Sequence, residues 1–286
     1  MKFPGQNLIE WSMTGFEGIK MITVIKSEDR RFVDVQDQKT WKTFFAENKI
    51  GPLQNGFGVL KVLNEEILSP GGGFVFHTEK DMVVVTYVRE GVIIYKAPLE
   101  EPSILETKDF GRNNAAKDTT QYAFNTSEYE NAHVFQCGFD LGECADSCED
   151  SSPKPKGVKK LFTHAERQGV LRLIASSDGR EGSLAIKHEV QIYSTFTQDG
   201  NHITHELKPG RSVWLQVVKG KISHNDLFLQ TGDGVGITEE KSVSFTSKGP
   251  TEILLFDLCE SKVELKGSSN NNPQVVEARG RPNSTV

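Results

Sequence analysis

Cys144 and Cys148, in Cys144-Ala145-Asp146-Ser147-Cys148, are the most closely spaced thiols of the chain. A tetrahedral zinc site needs four soft or imidazole ligands, and neither a second cysteine pair nor a nearby histidine completes one here. The neighbours Asp140, Glu143, Asp146, Glu149 and Asp150 are all acidic. Their field raises a thiol pKa and works against a reactive thiolate. The pair therefore reads as part of an exposed acidic loop, with a reversible disulfide as the alternative, and Cys144 and Cys148 are the redox candidates. His202-Ile203-Thr204-His205-Glu206 also has metal-ligating residue types. On a strand, however, His202 and His205 fall on opposite faces, and His205 and Glu206 diverge as well. These read as surface side chains, and His164, His188 and His224 as solvated or capping ones. Gly232-Asp233-Gly234-Val235-Gly236 lacks the following helix whose N-terminus would face a phosphate. Asn125-Thr126-Ser127 matches the glycosylation triplet, which an intracellular chain would not use. Lys154, Lys156, Lys159 and Lys160 read as a solvated basic cluster. No Ser-His-Asp or Cys-His set stands in a motif context for nucleophilic catalysis.

Any chemistry would have to be positioned by strands. Val59–Leu63, Phe74–His77, Met82–Val88, Val92–Tyr95 and His133–Phe139 are short runs of β-branched and aromatic residues. The same grammar returns in Ser183–Tyr193, Val213–Val218, Leu227–Leu229, Val243–Thr246 and Ile253–Leu258, with turns at Lys219-Gly220, Asn225-Asp226 and Thr231–Gly234. In Met82–Val88 both alternating faces are largely apolar, which predicts a strand lying between two layers. No apolar period of 3.6 runs long enough to require a major helix. The expectation is an all-β fold with two sandwich or barrel domains, the jelly roll being one such design. Between them Leu141–Lys160, dense in Asp, Glu, Ser, Pro and Lys, reads as a linker. Residues 1–20 are expected to be an extension, 21–140 the first domain, 161–262 the second, and 263–286 a loose polar tail.

The composition agrees. A chain of 286 residues with 36% hydrophobic, 25% charged and 9% aromatic residues can build two real cores and is not globally disordered. With 33 basic against 39 acidic side chains the net charge is −6, so no global positive field favours direct nucleic-acid binding. No stretch approaches the ~18–20 apolar residues of a membrane span, and Met1–Lys20 lacks the apolar run of a secretory signal. Four cysteines are too few for a disulfide scaffold. A cytoplasmic protein with reduced thiols is expected.

Asn55–Glu65, Pro70–Phe74 and Lys80–Val88 together resemble the N-terminal cupin domain of the pirin family. Asp178–Leu184, Val213–Gly220 and Ile253–Leu258 are similar to its C-terminal domain. The resemblance runs from about Met21 to Leu258 in the family's order, and implies a bicupin: two double-stranded β-helix (jelly-roll) barrels in one chain. Metal-containing pirins carry a His-x-His pair and, downstream, a His-x-Glu pair that together hold iron or a similar ion. Laid on that pattern, His77 takes the first ligand position, Glu79 the second, Thr126 the third and Glu128 the fourth.

The resemblance thus implies a polar pocket of His77, Glu79, Thr126 and Glu128 inside the first barrel. One imidazole, two carboxylates and a hydroxyl are harder and poorer in strong donors than the family's set. No resident cofactor is expected, and the leading expectation is a noncatalytic or weakly active small-molecule-binding or regulatory protein. The alternative is a quercetinase-type dioxygenase, with iron or another divalent transition metal on His77, Glu79 and Glu128, Glu128 as proton-accepting base, and a phenolic substrate. A third reading, from pirins that act as transcriptional cofactors, is an interaction module with a protein partner.

Overall fold

Of the seven residues Met82–Val88 only Thr86 is a small polar side chain, and in the computed structural model all seven are buried. Both faces of this strand are apolar because both are covered. Met82, Val84 and Val88 point into the first barrel, while Val83, Val85 and Tyr87 pack against the second.

The structure describes residues 22–45, 53, 55–98, 101–140, 157–186 and 189–259. The linker core 141–156, with Cys144 and Cys148, lies outside them, as do the expected extension and tail. The strands up to the linker are β1 (Ile22–Ile25), β2 (Arg31–Val35), β3 (Gln38–Lys42), β4 (Leu60–Leu68), β5 (Gly73–Thr78), β6 (Met82–Glu90), β7 (Val92–Lys96), β8 (Ser103–Glu106), β9 (Asp109–Ala115), β10 (Thr119–Asn125) and β11 (Ala132–Asp140). After it come β12 (Val158–Leu161), β13 (Arg172–Ser176), β14 (Leu184–Ala185), β15 (Val190–Thr197), β16 (His202–Glu206), β17 (Arg211–Lys219), β18 (Lys221–His224), β19 (Leu227–Gln230), β20 (Gly234–Ile237), β21 (Ser242–Ser247) and β22 (Thr251–Cys259). The single α-helix among the described residues is one turn, α1 (His164–Arg167). A capping box between Thr163 and Glu166 starts it.

Two sheets build each barrel. In the first, β12-β9-β6-β11-β4-β3-β2 faces β5-β10-β7-β8; in the second, β1-β20-β17-β22-β15-β13-β14 faces β16-β21-β18-β19. In the four-stranded sheets the wiring is repeated strand for strand: β5, β10, β7 and β8 correspond in order to β16, β21, β18 and β19. Leu68, Phe74, Val88, Ile93, Tyr95 and Leu105 fill the first barrel; Val213, Leu215, Ile222, Val235, Phe245 and Leu255 fill the second. The barrels also exchange edge strands. β1, expected to open the first domain, pairs with β20 of the second barrel, and β12, expected to end the linker, pairs with β9 of the first. Both are four-residue strands whose composition carries no mark of which sheet edge they join.

A third apolar core joins the barrels, in which Val83, Val85, Tyr87, Phe135 and Phe139 meet Trp214, Leu254 and Phe256. Within it the Glu252 carboxylate, 3% exposed, accepts from Tyr87 OH at 2.5 Å and Arg89 Nε at 3.1 Å, both from the first barrel. Arg89 Nη1 reaches His133 Nδ1 at 3.3 Å, and His133 Nε2 lies 2.8 Å from Glu65, which also accepts from Arg30 at 2.7 Å. Burial alone would raise the Glu65 carboxyl pKa. The His133 hydrogen bond and the Arg30 charge outweigh it and hold the pKa below its ordinary 4.5. A lowered folded pKa means that the unfolded chain takes up the proton first. The stabilisation is therefore complete above the ordinary value and fades as pH falls through the lower one. Between about pH 6 and about pH 3, urea midpoints of the native chain are expected to fall more steeply than those of Glu65→Gln; parallel curves would contradict this.

Candidate functional site

Alternation on β5 sends Phe74, Phe76 and Thr78 inward and leaves Val75 and His77 exposed. His77 is thus not an interior group, contrary to expectation: the two phenylalanines claim the barrel face, and parity turns His77 outward. Its Nδ1 lies 3.1 Å from Thr120 Oγ1 on the neighbouring strand. Glu79 follows the end of β5 and is exposed.

The ladder separates the two halves of the expected pocket. β5 and β10 pair antiparallel with His77 opposite Thr120 and Gly73 opposite Phe124. Thr126 lies beyond the end of β10, six residues from Thr120, which at ~3.4 Å per residue is roughly 20 Å from His77. Thr126 and Glu128 are exposed there. The turn that carries them is fixed by the buried Asn125, whose Nδ2 donates to Glu130 O at 2.7 Å and whose Oδ1 accepts from Ser127 N at 2.9 Å. His77, Glu79, Thr126 and Glu128 therefore do not converge. As a donor set they do not fit an iron-like ion, which needs its ligands about 2 Å from one centre. No group of three or more His, Cys, Asp or Glu among the described residues could hold a metal ion.

Other histidines depart from their solvated reading. His205 faces inward at the rim of the second barrel, with Nε2 2.9 Å from Asp257 Oδ2 and its ring 4.8 Å from that of Tyr193. Arg211 bonds the other oxygen of Asp257. Asp257 and Arg211 lie on separate strands, so spacing along the chain carries no sign of the cluster. His224 is buried and donates from Nδ1 to Ser244 O at 2.7 Å. Cys137 is free and buried, and burial pushes its thiol pKa up. Cys259 is disulfide-bonded, against the expectation of reduced thiols; a cross-link depends on geometry that sequence spacing does not reveal.

A cleft of about 300 Å³ opens on the opposite flank of the first barrel. It lies between the free edges of β8 and β12, with Ile104, Leu105, Val158 and Lys159 on its walls and Gly111 and Asn113 of β9 beneath. In the order β5-β10-β7-β8, His77 is on one edge strand and the cleft on the other. Lys159 Nζ is 3.2 Å from Asp109 Oδ2, so its charge is compensated.

Two jelly-roll barrels in tandem, each closed by a four-stranded and a seven-stranded sheet, define a bicupin. The family model for the quercetinase C-terminal cupin domain matches residues 173–258. The quercetin 2,3-dioxygenase of Escherichia coli is 28% identical over 238 residues, 83% of this chain and 99% of that protein. The pirin-like protein YhaK of Escherichia coli is 25% identical over 76% of this chain and 90% of its own. Among solved structures, Escherichia coli YhhW superimposes with a TM-score of 0.72 at 26% identity, covering 84% of this chain and 98% of that one. A structure of the same bacterial pirin in complex with nickel(II) gives 0.71 at 27% identity, covering 84% and 100%. Over most of its length the chain is similar to pirin-family proteins.

Proposed function

We propose that this chain is a binding member of the pirin family, one that holds a small molecule and does not carry out metal-dependent oxygenation at His77, Glu79 and Glu128. The β5–β10 register carries this reading, because it puts the two halves of the implied ligand set at opposite ends of one ladder. The cleft beside β8 supports a binding reading. The second reading is a quercetinase-type dioxygenase with iron or another divalent transition metal, favoured by the similarity to the Escherichia coli quercetin 2,3-dioxygenase and to the pirin structure holding nickel. Elemental analysis of protein purified without added metal, with a quercetin turnover assay under air, separates the two. The expected result is substoichiometric metal and no oxygen-dependent turnover; a stoichiometric metal with turnover would overturn the proposal. Glu79→His combined with Thr126→His tests the register itself. Restoring imidazoles to positions so far apart is expected to leave metal content unchanged, whereas tight binding of nickel by the double variant would show that the positions meet.

A further inference from the structure

Lys159 of β12 pairs with Gly111 of β9, Gly111 with Thr86 of β6, and Thr86 with Gln136 of β11. Directly paired residues share one face of a sheet, and for Thr86 and Gln136 this is the interior face, flanked by Val84, Val88 and Val134. One level of the seven-stranded sheet therefore runs from the cleft wall at Lys159, over the side-chain-free floor at Gly111, to a threonine and a glutamine inside the barrel. At ~4.8 Å between strands, Thr86 and Gln136 lie about 5 and 10 Å beyond Gly111.

Both side chains end in unmet hydrogen-bonding capacity. Thr86 is fully buried and Gln136 is 1% exposed, and neither Thr86 Oγ1 nor Gln136 Nε2 has a hydrogen-bond partner. Buried polar atoms are nearly always paired, so two adjacent orphans on one face mark the place of a missing partner. Between them and the cleft stands Leu105. A methyl group on Gly111 would come within 2.8 Å of its Cδ1, so the leucine rests on the bare glycine backbone.

We infer that the first barrel binds an uncharged small molecule bearing a carbonyl oxygen, with its apolar body in the cleft between β8 and β12 and its oxygen directed past Leu105 to Thr86 and Gln136. The inference rests on the binding reading above and names its site and ligand class. Gln136 Nε2 can only donate, which calls for an acceptor, and the Thr86 hydroxyl can donate to the same oxygen. The pair supplies no charge to balance an ion, and burying an unpaired ion is far more costly than burying a carbonyl. Ile104, Leu105 and Val158 suit an aromatic or aliphatic body.

Acetophenone, an uncharged aryl ketone, serves as the probe. Titrated into the full chain labelled at Thr and Leu methyls and Gln side-chain amides, it is expected to shift the Thr86, Leu105 and Gln136 signals saturably. Thr86→Val and Gln136→Met are each expected to weaken binding roughly tenfold, and Thr86→Ser to keep it. Without the probe, the Val and Met variants lose an unpaired buried atom and should unfold no earlier than the native chain, which distinguishes lost binding from a lost fold. Absence of saturable shifts, or binding indifferent to Thr86→Val and Gln136→Met, overturns the inference. Saturable binding that maps elsewhere overturns this site and leaves the binding reading standing; oxygen-dependent quercetin turnover with bound metal overturns that reading.

Discussion

Glu252→Ala is expected to lower the unfolding free energy by about 3–5 kcal/mol, the usual effect of breaking a buried ion pair from one side. Three donors converge on this carboxylate: Tyr87 OH and Arg89 Nε bond it directly, and Arg167 Nη1 stands 3.7 Å away. Arg167 is itself fully buried, with Nη1 bonded to Tyr87 OH at 3.1 Å and Ser194 Oγ at 3.0 Å and its guanidinium 4.2 Å from the Phe196 ring centre. Alanine would leave Arg167 in the apolar layer between the barrels without a counter-ion, and Arg89 with only the exposed Glu90 carboxylate. Glu252→Gln keeps an acceptor for Tyr87 but not the charge, and should fall between the two. Denaturant unfolding with linear extrapolation reads the difference. A loss below about 1 kcal/mol would mean that the arginines find solvent or another acid and that Glu252 does not organise the interface.

How far the sequence reveals this molecule depends on whether a feature is local. The apolar doubling of Met82–Val88 predicts a strand covered on both sides, and the structure covers it with the first barrel's interior on one face and the second barrel on the other. The duplicated strand grammar and the absence of long helices give the two-barrel class for the same reason: alternation is written residue by residue. The family pattern misplaces His77 inside the barrel, although its own strand carries the contrary signal. In Phe74-Val75-Phe76-His77 the phenylalanines fix the inward parity, which already sets His77 outside. The separation of His77 from Thr126 and Glu128 was not legible, because it depends on which residue of β10 faces which residue of β5. The residue types at both ends agree with a family pattern whatever the offset between the strands. Nor could the exchange of β1 and β12 be read from two four-residue strands. His205, Asp257, Arg211 and Tyr193 come together from four strands, and no spacing rule gathers them. Glu252 is not singled out by the sequence either: it lies on the strand Thr251–Cys259, and nothing in its local spacing tells which arginines of other elements meet it.

Trp214→Ala is expected to remove about 3–5 kcal/mol, the range for deleting a large aromatic from a packed core. Trp214 is fully buried on β17, with the Phe44 ring 5.1 Å away edge-on and the Phe57 ring at 5.6 Å. Both phenylalanines belong to the segment joining β3 to β4, so the indole of the second barrel is packed by the connection of the first. Its Nε1 donates to Gln216 Oε1 at 3.3 Å, and alanine would leave that buried acceptor unpaired as well as opening a cavity. The form of the transition is as informative as its midpoint. With a shared core and each barrel completed by a strand from beyond the linker, neither barrel has a finished sheet when the other unfolds. The variant should therefore unfold in one transition, at lower denaturant and with an unchanged slope. Two resolved transitions would show that the barrels are separate folding units and that the exchanged strands do not bind them into one.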